Sequence, residues 1–178
     1  LFGAMPKTPL AMEFQITQEY LGSTTNLVFQ PSLYKEVLES DTYANGKGST
    51  VSKIIAPQQP PPPPMGELQV RAESPHRGLG GFIAGVANTG SDRNWTGHLM
   101  SQANWYGYGR LAWNPDISAE QIADEWLRMT FTNNTLFIST TSKLMLQSRE
   151  TLVSYMNPLG LHHIMATGHH YGPGPWVS

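Results

Sequence analysis

The sequence predicts an α/β fold, and three stretches carry that prediction. Residues Met12 to Gln18 alternate apolar and polar side chains, with Met12, Phe14 and Ile16 on one face, the period of a half-buried strand. A short extended run from Asn26 to Gln30 leads into Pro31-Ser32, where Ser32 can cap a helix that runs to about Ser40. Leu33, Val37 and Leu38 form its expected apolar side. Gly81 to Ala87 is then a continuous apolar run bounded by glycines, which suits a strand buried on both faces of a parallel sheet. Strand, helix, strand is a βαβ unit.

The second half reads as helical. Gly97 to Leu111 carries Leu99, Ala103, Tyr106 and Leu111, and Asn114-Pro115-Asp116 interrupts it as a turn. Ser118 and Gln121 form a capping box for the next helix, with Ile122, Trp126 and Met129 at helical spacing on the expected buried side. A last helix runs from about Leu136 to Met156, with Leu144, Met145, Leu152, Tyr155 and Met156 as expected core, before Asn157-Pro158 ends it. Aromatic and methionine residues at this spacing are core rather than a cofactor box.

Composition narrows the function. With 11 Lys+Arg against 13 Asp+Glu among 178 residues the formal charge is -2, which leaves no basic footprint for nucleic acid. There is no cysteine, so thiol nucleophiles, thiolate metal sites and disulfides are excluded. No run of about 18 apolar residues occurs, so a membrane span is not expected. The start at Leu1 and the stop after Gly172-Pro173-Gly174-Pro175-Trp176 read as a piece of something longer. Pro57 to Pro64 contains a run that fixes φ and removes N–H donors, excluding helix interior and central strand. We read it as a surface spacer rather than a ligand for a proline-recognition module.

The residues that can carry chemistry cluster at strand ends. Glu19 follows the first strand at its C-terminal tip, where barrel and doubly wound enzymes place catalytic groups because the βα loops there are adjustable, although position alone fits a solvated or ion-paired loop residue better. The loop after the second strand, Asn88 to His98, offers Asp92, Arg93 and Trp95. Polar groups beside an indole face suit a sugar, whose hydroxyls need hydrogen bonds and whose ring has an apolar face; Asp92-Arg93 is equally able to brace the loop as an ion pair. His162-His163 and His169-His170 concentrate histidine, but without cysteine or a His-Glu-x-x-His helix they read as loop hydrogen-bonding groups, and no metal is expected. Nucleophile-elbow and phosphate-loop motifs are missing. Asn94-Trp95-Thr96 and Asn133-Asn134-Thr135 match the N-glycosylation pattern, which by itself means little.

Longer stretches point to a family. Leu1 to Tyr20, with Leu-Phe-Gly-Ala-Met-Pro-Lys-Thr and Met-Glu-Phe-Gln-Ile-Thr-Gln-Glu-Tyr, closely resembles the α-glucuronidases of glycoside hydrolase family 67. Lys35-Glu36-Val37-Leu38, Asp41-Thr42-Tyr43-Ala44, Asn45 to Val51, Ala84 to Asn88, Gly109 to Asp116 and His169 to Pro173 likewise look like its bacterial members. The resemblance implies inverting hydrolysis that releases glucuronic acid or its 4-O-methyl ether from xylan-derived oligosaccharides, with no cofactor or metal. It implies the C-terminal part of a (β/α)8 TIM barrel in residues 1–96, with 57–80 as a proline-rich insertion, running into an α-helical C-terminal domain in 97–178. It also implies that Glu19 is the general base, that the general acid and the clamp for the substrate carboxylate lie upstream of Leu1, and that the full-length protein is a homodimer through its C-terminal domain. The chain alone would be inactive, and the alternative is a noncatalytic glycan-binding remnant or a truncated gene product. The compartment is left open.

Overall fold

The computed structural model describes residues 10–16, 27–56, 81–87, 93 and 99–156. Its elements follow the order β1 (Ala11–Gln15), α1 (Pro31–Glu39), α2 (Val51–Ile55), β2 (Phe82–Val86), α3 (Leu99–Trp113), α4 (Ala119–Thr130) and α5 (Thr135–Met156). The chain divides into two compact units, one of residues 1–12 and 38–84, the other of 13–37 and 85–178.

β1 and β2 pair as a two-stranded sheet. Phe82 N donates to Leu10 O at 3.0 Å and Ile16 N donates to Val86 O at 2.7 Å, so start meets start and end meets end: the pair is parallel. The expected βαβ order is therefore present. Along β1 the alternation holds, with Phe14 and Ile16 buried and Ala11 and Glu13 exposed. β2 departs from expectation. Among the described residues it has one neighbouring strand, and Phe82 and Val86 remain 62% and 44% exposed rather than buried on both faces.

In the first unit, the chain after α1 closes a tight loop that bridges Asp41 to Thr50. The Asp41 carboxylate accepts from Tyr43 N at 2.9 Å and Gly48 N at 2.6 Å, while Thr42 N and its hydroxyl both donate to Ser49 O. Tyr43 is held at φ 54, a left-handed conformation that costs a residue with a side chain about 1 kcal/mol or more and is repaid by this hydrogen-bond cage. Thr50 then caps α2, a short helix absent from the sequence expectations. Gly81, just before β2, packs so tightly on Leu10 O and on the Cα of Ile55 that no side chain fits there.

The second unit is built on helices. α1 begins one residue before its expected cap: Tyr34 N donates to Gln30 O, Pro31 occupies the first helical position, and Ser32 lies inside the helix. Its buried side is Pro31, Tyr34 and Leu38, not Leu33 and Val37, which are only half-buried. The extended segment before it forms no strand. Its backbone is satisfied by side chains instead, because Asn104 Nδ2 donates to Val28 O (2.9 Å), Gln30 N donates to Asn104 Oδ1 (2.8 Å) and Phe29 N donates to Ser148 Oγ (2.9 Å).

α4 opens on the capping box expected from Ser118 and Gln121. Its buried stripe is Ala119, Ile122, Ala123, Trp126 and Leu127. That stripe drifts toward Leu127, leaving Met129 on its rim in the last turn, 65% exposed, against expectation. On α5 the buried residues Ile138, Met145 and Leu152 recur every seven positions, the spacing of a helix laid against neighbours. Leu144 falls off that stripe and is 58% exposed, so it is surface and not core.

Close packing of α1 on α3 gives a paired test. A Cβ at Gly107 would collide with Pro31 Cγ, whereas Gly109, two residues along the same helix, has nothing within 4 Å. In urea titrations Gly107→Ala is expected to lower stability by about 1–3 kcal/mol through overpacking, and Gly109→Ala to raise it by up to about 1 kcal/mol through helix propensity. Equal effects of the two substitutions would contradict this packing.

Candidate active site

The described strands end just before the sequence positions of the expected site residues. Ile16 and Val86 close the ladder at the C-terminal ends of β1 and β2, and Glu19 lies three positions beyond Ile16 in the sequence. Glu19, Asp92 and Trp95 lie outside the described residues, as do the four clustered histidines and the Pro57 to Pro64 run; Arg93 is described and exposed. Of the four expected site residues, Arg93 alone falls among the described residues.

Directly beneath the edge sits an aromatic layer that the sequence reading did not single out. Phe14 meets the ring of Tyr34 edge-on at 5.2 Å and that of Tyr108 at 6.3 Å. Tyr34 Oη donates to Gln15 O at 3.1 Å, tying α1 to the last residue of β1. On the neighbouring strand, an ideal Cβ on Gly85 would stand 3.0 Å from the Tyr108 ring and 3.2 Å from Ile16 Cδ1, so glycine there lets α3 close on the sheet. Burial pushes the Tyr34 phenol well above its usual range, and desolvation raises Tyr108 as well. Both stay protonated at neutral pH and act as hydrogen-bonding spacers, not as bases. The signal for them was available: two tyrosines, one on each helix that flanks the strands.

The described carboxylates with shifted pKa values are committed to structure. Glu125 of α4 accepts from Arg110 through both oxygens, Nε to Oε2 at 2.7 Å and Nη2 to Oε1 at 3.0 Å, and from Tyr106 Oη at 2.7 Å. Those bonds, the arginine's first, hold its pKa below the ordinary glutamate value. Backbone amides of Gly48 and Tyr43 do the same for Asp41. A general acid needs the opposite shift, so neither group suits that role. Helices α4 and α5 also line an open groove of about 880 Å³ with Glu120, Asp124, Glu125, Arg128 and Lys143 over Ile138. Asp124 is paired with Arg128 at 2.7 Å, which leaves the groove a mixed-charge surface. Among the described residues no three His, Asp or Glu side chains gather as a metal site, and no helix is long and apolar enough to cross a membrane.

A parallel strand–helix–strand unit followed by packed helices defines the described residues as part of an α/β protein. The comparisons say which. Residues 1–95 match the family model described as the glycosyl hydrolase family 67 middle domain, and residues 96–178 match that described as the glycosyl hydrolase family 67 C-terminus. The chain belongs to glycosyl hydrolase family 67. It is similar to alpha-glucuronidase A of Emericella nidulans (34% identical over 177 residues), a probable alpha-glucuronidase A of Aspergillus niger (37% over 178) and alpha-glucuronidase A of Aspergillus tubingensis (36% over 178). In each case 98% of this chain is covered but 19% of the relative, so the chain spans about a fifth of the length of these curated proteins.

The Glu125 latch between α3 and α4 has a defined pH signature. Because its folded pKa is depressed, its contribution is present above the ordinary glutamate value of 4.5 and is lost as pH falls through the lower folded value. The pair is more than a third exposed on the glutamate side, so the effect is small. Glu125→Gln is expected to be less stable than the parent by under about 1 kcal/mol above pH 5, with the gap closing as pH falls below 4. Thermal unfolding of both proteins across pH 3–7 measures it, and a gap that widens toward low pH would contradict the latch.

Proposed function

We propose that the chain is the late part of an α-glucuronidase that releases glucuronic acid, or its 4-O-methyl ether, from xylan-derived oligosaccharides by inverting hydrolysis. The observation that carries this reading is the match along 98% of the chain, without a change of family, to relatives named alpha-glucuronidase. In this reading residues 1–96 complete a (β/α)8 barrel, with 57–80 inserted, and residues 97–178 begin the helical C-terminal domain. The parallel β1–β2 pair with α1 in its crossover supports the first assignment, and the succession α3, α4, α5 supports the second. The full-length protein would pair as a homodimer through that helical domain.

Glu19 is then the general base. An inverting enzyme needs an ionised carboxylate to draw a proton from water on the face of the sugar opposite the leaving oxygen. A second, protonated carboxyl about 6.5–9.5 Å away donates to that oxygen. The depressed pKa values of Glu125 and Asp41 set these two carboxylates apart from the acid this step needs. Asp92, Arg93 and Trp95, from the loop after β2, would contact the sugar by hydrogen bonds and by the indole face.

The intact mass of the natively produced protein, captured through the Met12 to Tyr20 segment, is the first test. A mass several times 19.7 kDa supports the reading; a mass near it leaves no complete glycosidase site and favours a noncatalytic remnant. In the complete enzyme, Glu19→Gln is expected to lower turnover on an aldouronic acid by a factor on the order of 10² to 10⁴ with little change in KM. Unchanged turnover would sink the assignment of Glu19.

A further inference from the structure

The sequon at Asn133-Asn134-Thr135, given little weight on sequence alone, is equipped by the structure. It runs from the turn after α4 into Thr135, the first residue of α5, and every residue from 131 to 137 is exposed. The turn is held by its other members. Asn134 N donates to Thr132 Oγ1 at 3.2 Å, and Asn134 Oδ1 accepts from Phe137 N at 3.0 Å, capping α5. Asn133 and Thr135, the acceptor and the hydroxyl two residues on, make no side-chain hydrogen bond with another described residue. The two groups a glycosyl transferase must reach are thus displayed on an ordered turn.

A second observation points to a sugar. Phe131, two positions before Asn133, is 42% exposed, and its ring is buttressed edge-on by Trp126 at 5.5 Å and at a tilt by Phe137 at 5.6 Å. A fixed, half-exposed ring beside the acceptor offers a surface to the apolar C–H face of a pyranose. Leu136, 75% exposed, extends the apolar rim that a sugar would cover.

We propose that Asn133 is an N-glycosylation site whose first sugar packs on Phe131. The donor is an oligosaccharide carried by its terminal N-acetylhexosamine on a lipid pyrophosphate. Asn133 Nδ2 attacks the anomeric carbon, the new C–N bond forms as the bond from that carbon to the phosphate oxygen breaks, the lipid pyrophosphate leaves with the electron pair, and the amide loses one proton to a base of the transferase. The proposal does not depend on the glucuronidase reading.

The test begins with the natively produced protein, captured and digested, then treated with a glycan-releasing amidase in heavy-oxygen water. The expected result is conversion of Asn133 to aspartate carrying the solvent isotope. Asn133 found unmodified, while another glycoprotein of the same source is converted, would overturn the site. Made through a eukaryotic secretory pathway, the chain should lose one amidase-sensitive unit of mass in Asn133→Gln and in Thr135→Ala, but keep that unit in Asn94→Gln. Loss of it only in Asn94→Gln would also overturn the site. For the aromatic contact, glycan removal should lower Tm by a few degrees in the parent and by less than half as much in Phe131→Ala. Equal shifts in the two proteins would remove Phe131 from the proposal.

Discussion

One side chain holds the second unit together. Asn104, 1% exposed within α3, gives its amide to Val28 O and takes the amide of Gln30, so a single residue does for this segment what a neighbouring strand would otherwise do. Both backbone groups are buried in the contact, and either one left unmatched would cost about 1–3 kcal/mol. The clamp fixes where Pro31 enters α1. From there the bare surface of Gly107 receives the proline ring, Tyr34 is carried to the end of β1, and Lys35 Nζ reaches Pro115 O at 2.6 Å to hold the turn that precedes α4. Ser148 repeats the device from α5 by accepting from Phe29 N, so two helices grip one extended segment.

What could be read in advance was local. The alternation of Met12, Phe14 and Ile16 and the Ser118–Gln121 box depend on residues a few positions apart, and both stand in the structure as expected. Met129 and Leu144 were misread because helical spacing names a face without naming its extent; the partner decides where burial stops, and here it stops before Met129 and passes beside Leu144. Asn104 was invisible for a related reason. An asparagine in a helix looks like a weak helix former, and nothing nearby in sequence announces backbone groups 76 positions away that need its amide. Of the site, the sequence offers the carboxylate and the strand before it, while Tyr34 and Tyr108 acquire their place beneath the strand ends only through tertiary packing.

The charges follow a division of labour. Glu125 and Asp124 are each answered by an arginine fork, on different helix faces, and Asp41 is answered by backbone amides. Glu125 and Asp41 hold helices and turns in place because their partners favour the ionised form, the property that keeps these two from acting as proton donors near neutral pH. Aromatic rings do the complementary work at the strand ends, where burial keeps phenols neutral and rigid.

Gly81 has a consequence for how this chain can change over time. By packing on Leu10 O and against Ile55, it fixes the entry to β2 relative to the end of α2, so both anchor points of the connection between those elements are set within one unit. Closing a loop between fixed ends costs only about 0.6 kcal/mol for each doubling of its length. A change in the number of residues between Ala56 and Gly81 therefore weighs little on α2 and β2, the elements on either side. The same tolerance does not extend to Gly81 itself, where any side chain would run into Leu10 O, so selection on this stretch falls on a single position rather than on its length.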